Sequence, residues 1–236
     1  MAPLANNHIS IDCVVLGFDG TNLRVLLVKR RGEDQAGEYN DMKLPGSLIY
    51  QDEDLDEAAM RVLHELTGVK DVPLQQFKAF GSRNRTSNQR DVVWLERAQQ
   101  AHVERIVTIA YFALVKLDGP MQKIVDRESA VWMPVGEVGT LAFDHNLIIE
   151  EALKAVRREV ENNRSILFDL LPKKFTASQL RLLTEIIYGR SLDVRNFHKK
   201  ISQMPYVIPL EERQKGVAHR AARYFKFDRK IYNTSR

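Results

Sequence analysis

The chain has 236 residues, 44% of them hydrophobic, with one cysteine and 35 Lys+Arg against 31 Asp+Glu for a formal charge of +4. That length exceeds the usual ~100–150 residues of one domain, and no 18-residue apolar run or charged-then-apolar leader argues for a membrane span or secretory signal, so two small cores and a cytoplasmic location are the default expectation. Charge is divided along the chain: residues 1–154 hold 17 Lys+Arg against 23 Asp+Glu, net −6, and residues 155–236 hold 18 against 8, net +10, an asymmetry that suggests a polyanion-binding module joined to an acidic body.

In chain order, residues 8–18 and 23–30 are β-rich runs separated by Asp19-Gly20-Thr21-Asn22, a hairpin signal. Cys13 lies in the apolar run 11–18, reads as a small core residue, and by its solitude excludes an internal disulfide. Residues 31–43 are polar and contain glycine, which predicts a loop. From 54 to 67 the residues Leu55, Ala58, Ala59, Val62, Leu63 and Leu66 recur at helical spacing, and Gly68 closes the run. Strands are predicted at 74–80 and 105–116, the second almost continuously apolar and so buried on both faces, and a short one from Ala130 to Met133 ends at Pro134. Between the first two, Gly81-Ser82-Arg83-Asn84-Arg85 opens a long polar loop reaching His102, in which Trp94 is expected to pack the insertion down. Asp144 suits a helix N-cap and Phe143 a hydrophobic staple against Ile148, and the helix should run to about Asn162.

Residues 44–69 carry a specific pattern. Leu44-Pro45-Gly46 precedes Ser47, Glu53 follows at the sixth position, Arg61 lies eight further on, and Glu65, Gly68 and Val69 complete the series. This resembles the Nudix box, G-x5-E-x7-R-E-U-x-E-E-x-G-U with U a bulky aliphatic. Ser47 stands at the opening glycine, Val62 at the glutamate beside the arginine, and Leu66 at the last glutamate. In the active enzymes of that family this helix face resembles a magnesium site holding a pyrophosphate. Magnesium takes oxygen ligands in near-octahedral array, which Val62 and Leu66 do not supply. The expectation is therefore a degenerate domain with no catalytic residues, no metal and no cofactor. The resemblance also implies an α/β/α sandwich and an effector pocket drawing on Glu53, Arg61 and Glu65, with Arg83 and Arg85 from the loop, where related regulators carry arginines facing the ligand. Arginine suits phosphate or sugar oxygens through its rigid fork of donors.

The basic part has its own signals. Thr176-Ala177-Ser178-Gln179 fits a capping box opening a helix through Leu180, Leu183, Ile186 and Ile187, and Gly189 stops it. Asp193 can cap a second helix, with Pro205 beyond its end. This is the outline of a helix-turn-helix. On the second helix Val194, Phe197, Ile201 and Met204 form a core-facing stripe. Arg195, Asn196, Lys199 and Gln203 lie opposite, flanked by His198 and Lys200: arginine or lysine for guanine edges and phosphates, amides for adenine. Runs at 206–210 and 223–227 read as a wing, with His219, Arg220 and Arg223 at its tip and stem. Thr176 and Ser178, at the first helix's N-terminus, join the candidate DNA contacts.

The run 171–201, together with the box, resembles the Nudix-related transcriptional regulators, in which a Nudix-like effector domain, usually dimeric, precedes a C-terminal winged helix that grips a palindromic operator in duplex DNA. The expected organisation is an effector domain at 1–150, a linker helix at 151–163 and the winged helix-turn-helix at 164–236. That family's members sense ADP-ribose-type products of NAD metabolism or pentoses such as arabinose, and the absent metal carboxylates tilt the expectation here toward a sugar or sugar phosphate. Two other classes stay open: a Nudix-type hydrolase of nucleoside-diphosphate compounds with its ligands outside the box, and an RNA-binding adaptor.

Overall fold

The computed structural model describes residues 4–34, 37–99, 102, 105–117, 119, 121, 130–216 and 221–234. By internal packing the chain divides into two compact units, one of residues 1–16, 24–114 and 119–154, the other of 17–23, 115–118 and 155–236.

β1 (Ala5–Phe18) and β2 (Leu23–Asp34) are the predicted hairpin. In its turn the Asp19 carboxylate accepts from the backbone N–H of Thr21 at 2.8 Å and of Asn22 at 2.7 Å, while Gly20 takes φ +101°, open to a residue without Cβ. The predicted loop at 31–43 is instead more strand: β2 continues to Asp34 and returns as β3 (Gly37–Lys43), paired from Val28↔Lys43 to Asp34↔Gly37. Backbone ladder bonds hold this extension together. Its side chains are largely polar, so the two-residue alternation that betrays a half-buried strand is missing from the sequence.

β4 (Gly46–Tyr50) pairs with β1 and leads into α1 (Leu55–Thr67), which packs on it. Asp54 and Glu57 form a reciprocal capping box at the start of α1, and Gly68 ends it in the left-handed conformation at φ 71°. β5 (Gln75–Phe80), β6 (Val107–Lys116) and β7 (Ala130–Pro134) complete a seven-stranded sheet ordered β3-β2-β1-β6-β5, with β4 on β1 and β7 on β2. The long polar segment after β5 contains a helix, α2 (Gln89–Gln99), where the sequence predicted a loop. Only Asp91 and Leu95 of this helix are fully buried among its described side chains, too little apolar face to show in the pattern.

Successive β1 residues serve opposite faces of the sheet. The Cys13 thiol lies 3.7 Å from the Ala59 carbonyl of α1, whereas Asp12 reaches Arg85 and His145. Helices thus flank both faces, as the sandwich expectation required. α3 (His145–Asn162) follows, with the Asp144 carbonyl accepting from Ile148 N–H at 3.1 Å.

The second unit holds α4 (Ile166–Leu170), β8 (Phe175–Thr176), α5 (Ala177–Tyr188), α6 (Val194–Ser202), β9 (Val207–Arg213), β10 (Arg223–Phe227) and α7 (Arg229–Thr234). The strands form a sheet ordered β8-β10-β9. This is a winged helix-turn-helix: two helices, a glycine-containing turn with Gly189 at φ 63°, and a hairpin wing. An aromatic cluster makes its core, with Phe168 stacked on Phe227 at 4.2 Å and Tyr206 edge-on to Tyr232 at 4.9 Å.

Candidate functional site

On α1 the box residues are brought together, but as a closed network. Arg61 donates to both carboxylate oxygens of Glu53, its Nε at 2.8 Å, and to Glu65 at 3.0 Å, with its guanidinium 3.9 Å from the centre of the Tyr50 ring. The Arg61 hydrogen bond, against a smaller opposing effect of burial, holds Glu53 below the usual carboxylate range. Val62 is fully buried and Leu66 half-buried. The residues present do not suit a magnesium ion: two positions are aliphatic, and the two carboxylates are engaged by an arginine.

The other sheet face carries a buried polar cluster. Arg85, expected to reach for a ligand, is buried, with one terminal nitrogen 2.7 Å from Asp12 and the other on Asp144. This corrects the expectation: its fork is engaged by protein carboxylates. Asp144 correspondingly turns its side chain to Arg85. His145 Nδ1 accepts from Leu44 N–H at 3.0 Å, and its Nε2 lies 3.3 Å from Asp12. Burial pushes Asp12 upward, but His145, Arg85 and Lys43 together outweigh it and hold the carboxyl well below its ordinary value. Lys43, also buried, donates to the carbonyls of Leu44 at 3.0 Å and Gly46 at 2.7 Å, and burial brings its ammonium down to about 8 despite the opposing pull of Asp12. The space enclosed among these groups is about 30 Å³, on the scale of a single water. Arg83 stands exposed on the loop.

A second buried arginine joins the hairpin extension to α2. Arg30, 2% exposed, donates through Nε at 2.6 Å to Asp41 of β3 and through a terminal nitrogen at 2.5 Å to Asp91 of α2. Asp91 also accepts from Phe143 N–H at 2.9 Å. Trp94 Nε1 donates to the Arg31 carbonyl at 3.1 Å. Trp94 therefore both packs the insertion down, as expected, and faces a cavity of about 940 Å³ lined by Arg31, Tyr39, Asn40 and Arg97 among others. Sequence reasoning missed this wall because its residues come from three separated segments, none with a motif.

In the winged helix, Thr176 accepts from Gln179 N–H at 3.2 Å and the Gln179 side chain accepts from Thr176 N–H at 2.9 Å, the predicted box. Thr176 is buried, however, so its hydroxyl caps α5 and is not presented to DNA. Asp193 caps α6, accepting from Asn196 N–H at 2.8 Å. On α6, Phe197 and Ile201 are buried while Arg195, Asn196, His198, Lys199, Lys200 and Gln203 are all exposed. Val194, placed in the core stripe by spacing, is instead 50% exposed in the first turn of α6. Ser178 is exposed at the start of α5, and Arg223 is exposed on β10 opposite Arg213. His219 and Arg220 lie outside the described residues.

Comparison with known proteins follows the same division. Residues 6–156 match the NUDIX domain family. The chain belongs to the Nudix family. Behind the Nudix domain, residues 167–227 match the NrtR DNA-binding winged helix domain. A protein of Acinetobacter baylyi described as the ADPR responsive transcriptional repressor NtrR is 25% identical over 228 residues, covering 95% of this chain and 83% of its own. Among solved structures, Shewanella oneidensis NrtR complexed with a 27mer DNA is similar at TM-score 0.65 and 22% identity, over 93% of each chain. A MutT/nudix family protein from Enterococcus faecalis is similar at TM-score 0.59 and 22% identity, over 94% of this chain and 88% of that one. The chain thus has the two-part architecture of the Nudix-related regulators, from the sheet through the wing.

Proposed function

We propose that this protein is a transcriptional repressor whose Nudix domain binds an ADP-ribose-type nucleotide without hydrolysing it and thereby alters the winged helix's hold on DNA. The observation that carries the reading is α6, anchored by Phe197 and Ile201 with six polar and basic residues exposed, in a chain whose box positions are aliphatic or engaged by Arg61. Phosphate contacts supply affinity, each adding about 0.9 to the slope of log K against log salt, and base contacts from Arg195, Asn196, Lys199 and Gln203 supply specificity. The A. baylyi relative, described as ADPR responsive, moves the effector from the pentose that the sequence favoured to a nucleotide. A homodimer on a palindromic site places two reading helices about 34–36 Å apart or a multiple of that. Regulation requires the effector to bind one dimer geometry more tightly than the other, since equal affinity for both shifts nothing.

The test uses duplexes selected by the wild-type protein from a random pool. Fluorescence anisotropy at fixed salt is expected to show tight duplex binding, no competition by RNA of matched length, and at least ten-fold weakening by ADP-ribose but not by arabinose. Magnesium-dependent cleavage of ADP-ribose to AMP and ribose 5-phosphate at enzymatic rates, or equal binding of duplex and RNA, overturns the reading.

A further inference from the structure

We propose that the nucleotide effector sits in the cavity between the β2–β3 extension and α2, and not over the box helix. The inference rests on the nucleotide-responsive reading above and assigns it a seat. Among the described residues of the first unit two charged places are closed, and a third, a cleft of about 310 Å³ beside Arg61, His64 and Lys70, has no Tyr or Trp ring. Over α1, Arg61 is held by Glu53 and Glu65. Inside the sheet face, Asp12, Arg85, Asp144 and His145 satisfy one another around about 30 Å³. The remaining place is an open cleft of about 940 Å³, within the usual ~300–1,000 Å³ of small-molecule sites.

Its lining matches a nucleoside diphosphate group by group. Trp94 offers a ring for an aromatic base, beside Tyr39, whose own ring carries Arg90 at 4.6 Å. Arg31 and Arg97 offer two guanidinium forks for the diphosphate. Glu33, Glu38 and Asn40 offer acceptors for ribose hydroxyls. A bare pentose would use the last group alone. The pairing of the arginines is the second, independent observation. Beside the cleft Arg30 is spent on Asp41 and Asp91 and Arg90 on Asp34, and in the buried cluster Arg85 is spent on Asp12 and Asp144. Arg31 and Arg97 are exposed and, among the described residues, have no carboxylate within ion-pair distance.

Both walls are also fixed before a ligand arrives. Arg30 ties β3 to α2 through its two carboxylates, and its guanidinium carbon lies 5.3 Å from the Tyr39 ring centre and 5.6 Å from that of Trp94. Such preorganisation spares the ligand the ordering cost of its own site. Arg30 is thus a positioning residue, while Arg31, Tyr39, Trp94 and Arg97 touch the ligand.

The experiment is a titration of the full chain with ADP-ribose, ADP and arabinose by calorimetry, repeated on Arg31→Ala/Arg97→Ala and on Trp94→Leu. The Trp132→Phe variant, which leaves Trp94 as the sole indole, is titrated by fluorescence. Expected are binding of ADP-ribose and ADP but not arabinose, quenching of Trp94, and at least 30-fold weaker binding in the double arginine variant with unchanged melting and unchanged ligand-free DNA affinity. If wild type binds ADP-ribose and the double variant binds equally, or if only Arg83→Ala loses binding, the seat is wrong and the regulator reading stands. If wild type binds no nucleotide and DNA affinity never responds, both fall. Should Trp94→Leu melt early, the arginine variant still decides the question, since both of its positions are exposed.

Discussion

Replacing Arg85 by methionine separates a structural arginine from a ligand-binding one. Its side chain is 4% exposed and bridges Asp12, 5% exposed, to Asp144. Methionine fills much of the volume but leaves Asp12 buried with only His145 and Lys43 for compensation, and removing one partner of a buried pair costs about 3–5 kcal/mol. At roughly 2–4 °C per kcal/mol for a chain of this size, the first unit should melt about 6–20 °C lower. The pH profile gives an internal check. Asp12 is held below its ordinary value in the folded protein, so its contribution is present above the unfolded carboxylate range and is lost as pH falls toward the folded value. Without Arg85 that depression shrinks, so the melting difference between wild type and variant should hold steady from pH 7 to pH 4 and narrow on acidification below the unfolded value near 3.8. Differential scanning calorimetry across that range is the assay. A variant that melts within 2 °C of wild type at pH 7 while losing nucleotide affinity would refute the structural assignment and return Arg85 to the effector site.

Three further outcomes follow from the same geometry. Lys199→Ala should weaken operator binding by about 1–3 kcal/mol and relax sequence preference, with little change in the salt slope, and unchanged affinity in a salt-controlled titration removes Lys199 from the interface. Thr176→Ala should cost about 1 kcal/mol of winged-helix stability through the lost cap without changing that slope, because the hydroxyl is buried; chemical denaturation and anisotropy read the two separately. Lys43 has a folded value of about 8, so between pH 8 and its unfolded value near 10.5 the unfolded chain binds more protons and stability should rise with pH, by about 3 kcal/mol relative to Lys43→Met. A flat difference across that window would show that the ammonium is not desolvated.

Much of the architecture was legible in the order of residues because it rests on local rules. Asp54 with Gly68, and Thr176 with Gly189, bracket helices by capping chemistry acting within four residues, and Asp19 to Asn22 closes a turn by itself. The exposed face of α6 followed from helical period once Phe197 and Ile201 were fixed as core. The missed elements lacked such signals. β3 is held by backbone pairing to a partner whose side chains are equally polar, and α2 is anchored by Asp91 on Arg30, 61 residues away. Val194 fell on the core-facing angle of the helix by spacing and is nonetheless 50% exposed.

The sequence by itself determined that the chain joins a Nudix frame with aliphatic Val62 and Leu66 to a basic reading helix, because residue identity alone decides which side chains can ligate a cation or read a base edge. Which arginines remain free was decided only by the folded chain. Arg30, Arg31, Arg83, Arg85 and Arg97 are chemically identical in the sequence, and a guanidinium's availability depends on whether a carboxylate from a distant segment reaches it first. Folding brings Asp41, Asp91, Asp12 and Asp144 to two of them, buries those, and leaves Arg31 and Arg97 facing open space beside two aromatic rings.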